Sequence, residues 1–333
     1  MKVYIYSQFQ KWIATSGIGR AGIHQKWCLT LAGARVVDNY KDADVVHINT
    51  IFPGTPFMAH RARKAGKKVV LHAHSTEEDF RNSFKGSNQI APYFGKWIRY
   101  LYEQGDVVVT PSAYSKRLLE EDGVDKDIYV LSNGIDLDFY TAKGDERNRF
   151  RKLYGYGPED KVIMSVGLWI ERKGILDFIE LAKSMPEYHF IWFGKTSPSL
   201  IPAKVARAIE QAPSNLRFPG YVSREALRDA YFGADLFLFP SYEETEGIVV
   251  LEALASKIPV LLRNIPVYKG WLTQGRDVHM ARSHDEFAEK AKKILSGEMQ
   301  DLRENGYKVA QSRSFESIGK RLVDIYQSID ANM

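Results

Sequence analysis

The 333-residue sequence predicts an α/β protein of two Rossmann-like, doubly wound domains that face a central cleft. Two observations support this prediction. Strand-like apolar runs alternate with amphipathic helical segments almost from end to end, which is the pattern of parallel sheets with crossover helices. The chain is also too long for one ordinary core and fits two domains of about 150 residues each.

Six runs in the N-terminal half predict the strands of a first domain: "KVYIYS", "ARVVDN", "DVVHINT", "KKVVLHAH", "DVVVTPS" and "DIYVLSNG". Their near-continuous Val, Ile and Leu indicate burial on both faces of the sheet. A Gly-, Pro- and Asp-rich interval, "YGYGPEDK" at 154–161, then predicts a linker. We therefore place the first domain at 1–157 and the second at 158–313.

Five further runs predict the strands of the second domain: "KVIMSVGL", "YHFIWFG", "LRFPGY", "LFLFPS" and "IPVLLRN". Helices are predicted near 174–184, 202–212, 223–233 and 246–256. The final segment carries Phe315, Ile318, Leu322, Ile325 and Tyr326 at helical spacing, which predicts an amphipathic helix. The periodicity does not indicate which domain this helix packs against. One possibility is that residues 314–333 return to the first domain.

The composition narrows the classes of partner. Lys and Arg number 46 against 41 Asp and Glu, so the formal net charge of +5 favours anionic partners such as nucleotides, phosphates and anionic lipids. No zinc-finger, homeodomain or RNA-recognition signature is visible, so we predict no nucleic-acid partner. The single cysteine, Cys28, fits a reducing compartment. The sequence shows neither an apolar signal segment nor about 18 consecutive apolar residues, so we expect neither classical secretion nor a membrane span.

The stretch "FPSYEETEGIVVLEALA" contains four glutamates, and two of them, Glu244 and Glu252, have seven residues between them. This spacing is not a helical i, i+4 pair, and no His or Cys stands beside them to complete a metal site. The acidic triplets at 42–44 and 136–138 are interpreted as turns, so we expect no bound metal. The two glutamates are therefore predicted to serve a ligand or a partner.

A basic pair lies between a predicted strand and a helix in "SVGLWIERKG". Open α/β sheets bind ligands at the carboxyl ends of their strands. Arg172 offers a bidentate fork and Lys173 a compact charge, and both suit a diphosphate. A solvated basic turn is the alternative interpretation.

The segment "SGIGRAGIHQ" matches the pattern G-x-G-x-x-G at Gly17, Gly19 and Gly22, so a nicotinamide dehydrogenase has to be considered. We regard that class as the weaker one. An unusually long loop, "SQFQKWIATS", precedes the glycines, and only Asp38 supplies an acidic residue near the end of the second strand.

Three histidines lie in or at the end of predicted strands of the first domain. The run "HAHS" places His72 and His74 at the end of the fourth strand, where we expect them to face opposite sides, one of them packing and His74 being the candidate that enters the cleft. His47 is interpreted as a packing histidine.

Aromatic and basic residues lie close together in two N-terminal regions. The segment "IFPGTPFM" lies beside the basic run "RARKAGKK", and "APYFGKWIRYLYEQ" itself mixes Phe, Tyr and Trp with Lys and Arg. This mixture is typical of segments at a membrane surface. Cations that end a helix in solvent are the alternative explanation for the basic run. We predict an anionic membrane surface as a partner.

The chain resembles the retaining GT-B glycosyltransferases of family four over nearly its full length. The most specific part is "VGLWIERKG" followed by "FPGYVSREALRDAYFGADLFLFPSYEETEGIVVLEALA", and the first half adds "SGIGRA", "HAHS", "VVVTPSAYSK" and "LSNGID" in the family's order. The resemblance implies a GT-B fold, a UDP-hexose donor on the second domain, an acceptor on the first, and no cofactor or metal.

The resemblance also implies roles for single residues. Glu244 contacts hydroxyls of the donor sugar and Glu252 holds the ribose, which agrees with the ability of a carboxylate to accept two hydrogen bonds from a vicinal diol. His74 lies beside the reacting sugar and positions it. Arg172 and Lys173 form a diphosphate clamp that neutralises the charge developing on the leaving group. The remaining donor contacts are Gly17, Gly19, Val222, Gly247 and Ile248. Leu168 stands where the family often has Arg, so Arg172 is expected to substitute.

Within the family, "SGIGRAGIHQ", "INT", "HAHSTEEDFRNSFKGSN" and "YKGWLTQG" look most like bacterial α-galactosyl-glucosyl-diacylglycerol synthases, which make glycolipid and lipoteichoic-acid anchors. This likeness implies transfer of a hexose, with galactose favoured, to a lipid-linked sugar such as glucosyl-diacylglycerol at the cytoplasmic face of the cell membrane. The alternatives are a UDP-glucose-dependent diacylglycerol glucosyltransferase, a soluble or polysaccharide acceptor, and a non-catalytic nucleotide-sugar-binding protein.

Overall fold

The computed structural model describes residues 1–8 and 17–331, which form two compact units. The first unit contains Met1–Phe80, Asn88–Asp136 and Ser312–Met333, and the second contains Arg81–Ser87 and Leu137–Gln311. Most of the predicted long loop, residues 9–16, lies outside the described residues.

A parallel sheet of six strands forms the centre of the first unit. The strands are β1 (Lys2–Tyr6), β2 (Arg35–Val36), β3 (Val45–Ile48), β4 (Lys68–His72), β5 (Val107–Thr110) and β6 (Ile128–Val130), in the order β2-β1-β3-β4-β5-β6. The helices are α1 (Gly17–Leu31), α2 (Gly54–Lys64), α3 (Glu77–Phe80), α4 (Ser87–Tyr102), α5 (Ala113–Glu121) and, from the end of the chain, α13 (Phe315–Ala331).

The second unit repeats this plan. Its strands are β7 (Val162–Val166), β8 (His189–Phe193), β9 (Leu216–Gly220), β10 (Leu236–Phe239), β11 (Val260–Arg263) and β12 (His279–Ala281), in the order β12-β11-β10-β7-β8-β9, all parallel. Its helices are α6 (Glu146–Tyr154), α7 (Ile175–Ser184), α8 (Ala203–Glu210), α9 (Arg224–Gly233), α10 (Ile248–Ala255), α11 (His284–Ser296) and α12 (Arg303–Gln311).

The predicted α/β class of two doubly wound sheets is confirmed. Each of the six predicted runs of the first domain and each of the five of the second contains a strand. The helices predicted in the second domain are also present, with bounds within a few residues of those expected. No helix in the described ranges is both long and apolar enough to cross a bilayer.

Helices cover both faces of the first sheet, because the strands are apolar on both faces. Buried residues of α1 and α13, such as Cys28 and Ile318, pack against one face, and buried residues of α2 and α4, such as Ala59 and Ile98, pack against the other. In the second unit Trp192 of β8 packs with residues of α7 and α11. Burial of this apolar area, about 25 cal/mol per Å², is the main stabilising contribution to each unit.

The first unit ends earlier along the chain than the predicted boundary at 157, since the division falls after Asp136. The reason is α6, which packs on α9 of the second unit. Arg149 of α6 donates two hydrogen bonds to Asp229, at 2.7 and 2.8 Å, and Arg151 is 2.8 Å from Asp235. These ion pairs and the packing of α6 place the residues before the Gly-rich interval in the second unit.

Helix α13 returns to the first unit and packs closely on α1. The contact is close because Gly319 faces the backbone of α1, where a Cβ atom on this residue would overlap the carbonyl oxygen of Cys28. Side chains of α13 also fill the core next to α1. The end of the chain is thereby held by a backbone-to-backbone approach that only glycine permits.

Gly319→Ala should lower the free energy of unfolding of the first unit by about 2 kcal/mol, because the added methyl group overpacks this contact. Chemical denaturation followed by circular dichroism measures the loss. Gln327→Ala, at an exposed position of α13, is the matched control and should leave stability unchanged. A Gly319→Ala protein as stable as the native one would contradict the close approach of the two helices.

Candidate active site

The candidate site lies at the carboxyl ends of β7 and β10, which are neighbouring parallel strands in the second unit. A 3₁₀ turn, Glu171–Lys173, follows β7, and Glu244 lies in the loop that follows β10. Because the carboxyl ends of parallel strands share one edge of the sheet, two segments far apart in sequence meet there.

An ion pair joins the two segments. The ammonium Nζ of Lys173 lies 2.5 Å from Oε1 of Glu244, and the hydroxyl of Ser241 donates to the same carboxylate oxygen at 2.7 Å. Both charged side chains are largely buried, with 16% and 7% of their side-chain surface exposed. A buried carboxylate with these two partners remains ionised.

The pKa of Glu244 reflects this balance. Burial acts to raise it, but the positive charges of Lys173 and Arg172 and the hydrogen bonds from Lys173 and Ser241 outweigh burial and hold the pKa below its ordinary value. The site therefore presents a carboxylate and an ammonium group side by side at neutral pH.

Gly174 explains why Lys173 can reach this position. It has φ of +75°, and a Cβ atom there would overlap the carbonyl oxygen of Pro240, the residue before Ser241. A side chain would push the turn that carries Lys173 away from the loop that carries Glu244. The two loops pack backbone against backbone, and their charged side chains meet as a result.

Arg172, the neighbour of Lys173, points elsewhere. It is buried, and its guanidinium donates to the hydroxyl of Ser83 at 3.0 Å and to the carbonyl oxygen of Glu243 at 2.6 Å. These bonds connect residues 81–87 to the loop after β10. Its predicted role as a diphosphate clamp remains a prediction, whereas its contacts show that it supports the loop of Glu244.

The second predicted carboxylate lies in helix α10. Gly247 is the N-cap of this helix with φ of +90°, and a Cβ atom on it would lie 3.9 Å from Cγ of Glu244, so the helix begins next to the ion pair. Ile248 is the first helical residue. Glu252 is buried one turn further on, and its Oε2 accepts a hydrogen bond from the hydroxyl of Tyr231 at 2.9 Å.

The helix start has the properties of an anion site. N–H groups at a helix N-terminus point at the ligand and carry partial positive charge. Lys173 and the N-terminus of α10 thus supply positive charge beside two carboxylates. Val222, the remaining predicted contact in the second unit, is half-buried in the segment between β9 and α9.

Three predicted residues belong to the first unit. Gly17 is the first residue of α1, and Gly19 is buried in its first turn, so these glycines begin a helix. His74 is buried and its Nε2 lies 2.8 Å from Oδ1 of Asn49. Its ring stacks on His72 with centroids 4.1 Å apart, so the two histidines that we expected to separate belong to one cluster. Residues two apart along an extended chain point to the same side, which accounts for the stacking.

Sequence reasoning missed the residues that hold the carboxylates. Ser241 lies two residues after β10, and its position near a strand end was the available signal, whereas Tyr231 lies in α9 and gives no local signal that it contacts Glu252. Within the described ranges, no group of three His, Cys, Asp or Glu side chains is arranged to hold a metal ion.

Comparison with solved structures supports the fold. The Anabaena protein HepE, determined with UDP and glucose, gives a TM-score of 0.79 over 98% of this chain and 100% of that chain, at 16% identity. Sucrose-phosphate synthase of Thermosynechococcus elongatus gives 0.78 over 100% of this chain and 99% of that chain, at 15% identity. The architecture is the GT-B fold of glycosyltransferases.

Comparison with sequences gives the family. The family model "Glycosyl transferases group 1" matches residues 146–311, and "Glycosyltransferase Family 4" matches 15–139. A processive diacylglycerol α-glucosyltransferase of Acholeplasma laidlawii is 44% identical over 99% of this chain and 98% of its own length. The α-galactosylglucosyldiacylglycerol synthase of Streptococcus pneumoniae is 28% identical over 86% and 78%. The chain belongs to the family-four GT-B glycosyltransferases and is a glycosyltransferase.

The ion pair gives a pH dependence with a defined sign. The folded-state pKa of Glu244 lies below 4.5, so its contribution to stability is present above pH 4.5 and is lost as the pH falls through the folded-state pKa. The stability difference between the native protein and Glu244→Gln should therefore shrink below about pH 4.5. Urea denaturation of both proteins between pH 7 and pH 3 measures it, and a difference that stays constant with pH would contradict an ionised, stabilising Glu244.

Proposed function

We propose that this glycosyltransferase transfers glucose from UDP-glucose to diacylglycerol and to glucosyl-diacylglycerol, with retention of the anomeric configuration. The observation that carries the proposal is the buried Lys173–Glu244 pair beside the N-terminus of α10. A diphosphate requires the cation and the helix terminus, and a sugar requires the acceptor-only carboxylate. The lipid acceptor is inferred from the names of the related diacylglycerol glycosyltransferases.

Different groups of the site bind different parts of the UDP-glucose donor. Lys173 and the N–H groups after Gly247 bind the diphosphate, Glu252 accepts hydrogen bonds from the ribose, and Glu244 accepts them from the hexose. Binding replaces the contact between Lys173 and Glu244, because each group exchanges its partner for a part of the donor. Positive charge held at the diphosphate then stabilises the charge that develops on the leaving UDP.

His74 also acts in transfer, by positioning and electrostatics and not as a covalent nucleophile. Its buried imidazole is neutral at pH 7, since burial lowers its pKa to about 3. A neutral ring can donate at one nitrogen and accept at the other, which suits the orientation of a hydroxyl group. We expect transfer to need no metal ion.

Glucose is preferred here over the galactose implied by the first resemblance. The relative that is 44% identical over almost the whole chain is a glucosyltransferase, whereas the galactosylglucosyldiacylglycerol synthase is 28% identical. A second glycolipid synthase of Acholeplasma laidlawii, which makes α-monoglucosyldiacylglycerol, is 26% identical over 70% of this chain. Both acceptors therefore belong in the assay.

A donor panel tests the reaction. UDP-glucose, UDP-galactose and GDP-mannose, each radiolabelled, are incubated with vesicles that contain diacylglycerol or glucosyl-diacylglycerol, with and without EDTA. We expect labelled α-glucolipid from UDP-glucose alone, at the same rate with EDTA. Galactolipid as the main product would restore the galactose alternative, and donor binding without any labelled lipid would indicate a non-catalytic binding protein.

Variants of the charged residues test the division of roles. Lys173→Met should lower kcat about 100-fold or more, because it removes a group that stabilises the leaving diphosphate. Glu252→Gln should weaken UDP binding about tenfold or more, since it removes a charge-assisted hydrogen bond. Lys293→Met, which breaks an exposed Lys–Glu pair of the same unit, is the matched control. Calorimetric UDP affinities equal to those of the native protein in Glu252→Gln would refute the ribose contact.

We propose that the first unit binds an anionic membrane at the cytoplasmic face. Helices α2 and α4 cover the same face of its sheet and expose large apolar side chains, with Phe57 69% and Tyr93 74% exposed. Arg61, Arg63 and Lys64 lie in the last turn of α2. Each cation near anionic lipid contributes about 1 kcal/mol, and the aromatic rings add apolar contact at the headgroup level.

Phe57→Ser combined with Tyr93→Ser should abolish sedimentation with vesicles of phosphatidylglycerol at low salt, because both exposed apolar anchors are lost. Leu153→Ser is the matched control, since Leu153 is also a largely exposed apolar residue but lies in the second unit. Equal loss of binding in the control protein, or none in the double variant, would place the membrane contact elsewhere.

A further inference from the structure

A buried chain of polar side chains surrounds His74 in the first unit. Its other members are Gln25, His47, Asn49, His72 and Tyr326, and all are buried. They come from α1, β3 and the residues after it, β4, and α13. Each hydrogen bond in such a network needs one donor and one acceptor, so the contacts define where most of the protons are. The exception is Nε2 of His72, which is buried without a hydrogen-bond partner among the described residues.

Gln25 and Asn49 form a reciprocal pair of amides at the centre of this network. Nε2 of Gln25 donates to Oδ1 of Asn49 at 2.8 Å, and Nδ2 of Asn49 donates to Oε1 of Gln25 at 2.7 Å. The second hydrogen on Nε2 of Gln25 points at Nδ1 of His72, 2.6 Å away. The amide of Asn49 is therefore held with its oxygen toward His74.

The orientation of Asn49 decides the tautomer of His74. An amide oxygen only accepts hydrogen bonds, so Nε2 of His74, 2.8 Å from Oδ1 of Asn49, carries the ring proton. Burial lowers the pKa of His74 to about 3, which leaves the ring neutral, and Nδ1 then carries the lone pair. Within the described part of the chain, no hydrogen bond is made by this Nδ1.

The face of the His74 ring is also fixed. His72 stacks on it with an interplanar angle of 6°, and Nδ1 of His72 faces Nε2 of His47 at 3.1 Å. Nδ1 of His47 in turn faces the hydroxyl of Tyr326 at 2.6 Å. A tyrosine hydroxyl that donates to His47 leaves Nε2 of His47 to donate to His72, so Nδ1 of His72 accepts from both His47 and Gln25.

We propose that Asn49, itself held by Gln25, is a positioning residue that fixes His74 as the Nε2-protonated tautomer and so presents Nδ1 as a hydrogen-bond acceptor to a hydroxyl group of the substrate. This inference rests on the proposed role of His74 in transfer. It assigns to two amides, which never touch the substrate, the task of setting the proton position on a group that does.

Nitrogen-15 NMR of the histidine side chains reads the tautomer directly. In the native protein we expect the Nδ1 of His74 at the shift of an unprotonated nitrogen and its Nε2 at that of a protonated one, with His74→Gln used to assign the signal. An Nδ1-protonated ring or an imidazolium at pH 7 would overturn the proposal. This measurement needs neither a variant of Asn49 nor an active enzyme.

Asn49→Leu tests the consequence for transfer, because leucine is close in size but offers no acceptor. We expect both tautomers of His74 to appear and kcat for glucose transfer to fall about 100-fold, with the KM for UDP-glucose nearly unchanged. Gln25→Leu should also give both tautomers of His74 and lower kcat, but by a smaller factor than Asn49→Leu. Asn39→Leu, at a turn of the same unit, is the control.

The outcomes separate the two proposals. A fall in kcat for His74→Gln without one for Asn49→Leu overturns the positioning role and leaves the proposed function intact. Full activity of His74→Gln overturns both the role of His74 and the inference that rests on it. No glucolipid from the native protein, together with the expected tautomer, removes the proposed function while the assigned proton position stands.

Discussion

The contact between Lys173 and Glu244 is the interaction on which the candidate site depends. The buried carboxylate of Glu244 stays ionised because Lys173, the charge of Arg172 and the hydroxyl of Ser241 together offset its burial. The separation of the Lys173–Glu244 pair is set by Gly174, whose missing side chain lets one loop approach Pro240 of the other. The position of the two charges is therefore a consequence of backbone packing, because the loops that carry them meet where the two strands end.

The same pair explains how the site avoids an uncompensated buried charge. Lys173 and Glu244 satisfy one another, and a donor with a diphosphate at one end and hydroxyl groups at the other offers each a replacement. A ligand with only one of these features would separate the two charges and replace the contact of only one of them. On the proposed function, the pair favours molecules that combine an anion with a sugar.

The sequence was sufficient for the fold class because its signals are local. Continuous Val, Ile and Leu runs separated by amphipathic segments define buried parallel strands, and each predicted run contains one. Strand β12 escaped prediction since it is three residues long and begins with a histidine. The boundary at 157 differed from the observed division because α6 is charged and its role depends on Asp229 and Asp235, distant residues that no local pattern reveals.

In the candidate site too, local sequence patterns do not reveal contacts between distant residues. The residue types at Lys173, Glu244 and Glu252 could be chosen from chemistry and spacing, and the structure brings Lys173 and Glu244 into contact. The direction of Arg172 could not be chosen, because it depends on Ser83, which approaches only in the folded chain. An arginine next to a lysine in one turn has the same sequence signature whether its guanidinium faces a ligand or a carbonyl oxygen.

The C-terminal helix α13 contacts the histidine network although no local sequence pattern predicts this contact. Tyr326 of α13 is 279 residues from His47, and their 2.6 Å contact places the end of the chain at the far side of the network that holds His74. The close approach of Gly319 to Cys28 fixes α13 against α1, the helix that also supplies Gln25. Packing of the last helix and the hydrogen bonds around His74 are consequently parts of one arrangement, in which a helix remote in sequence contacts the polar residues of neighbouring strands.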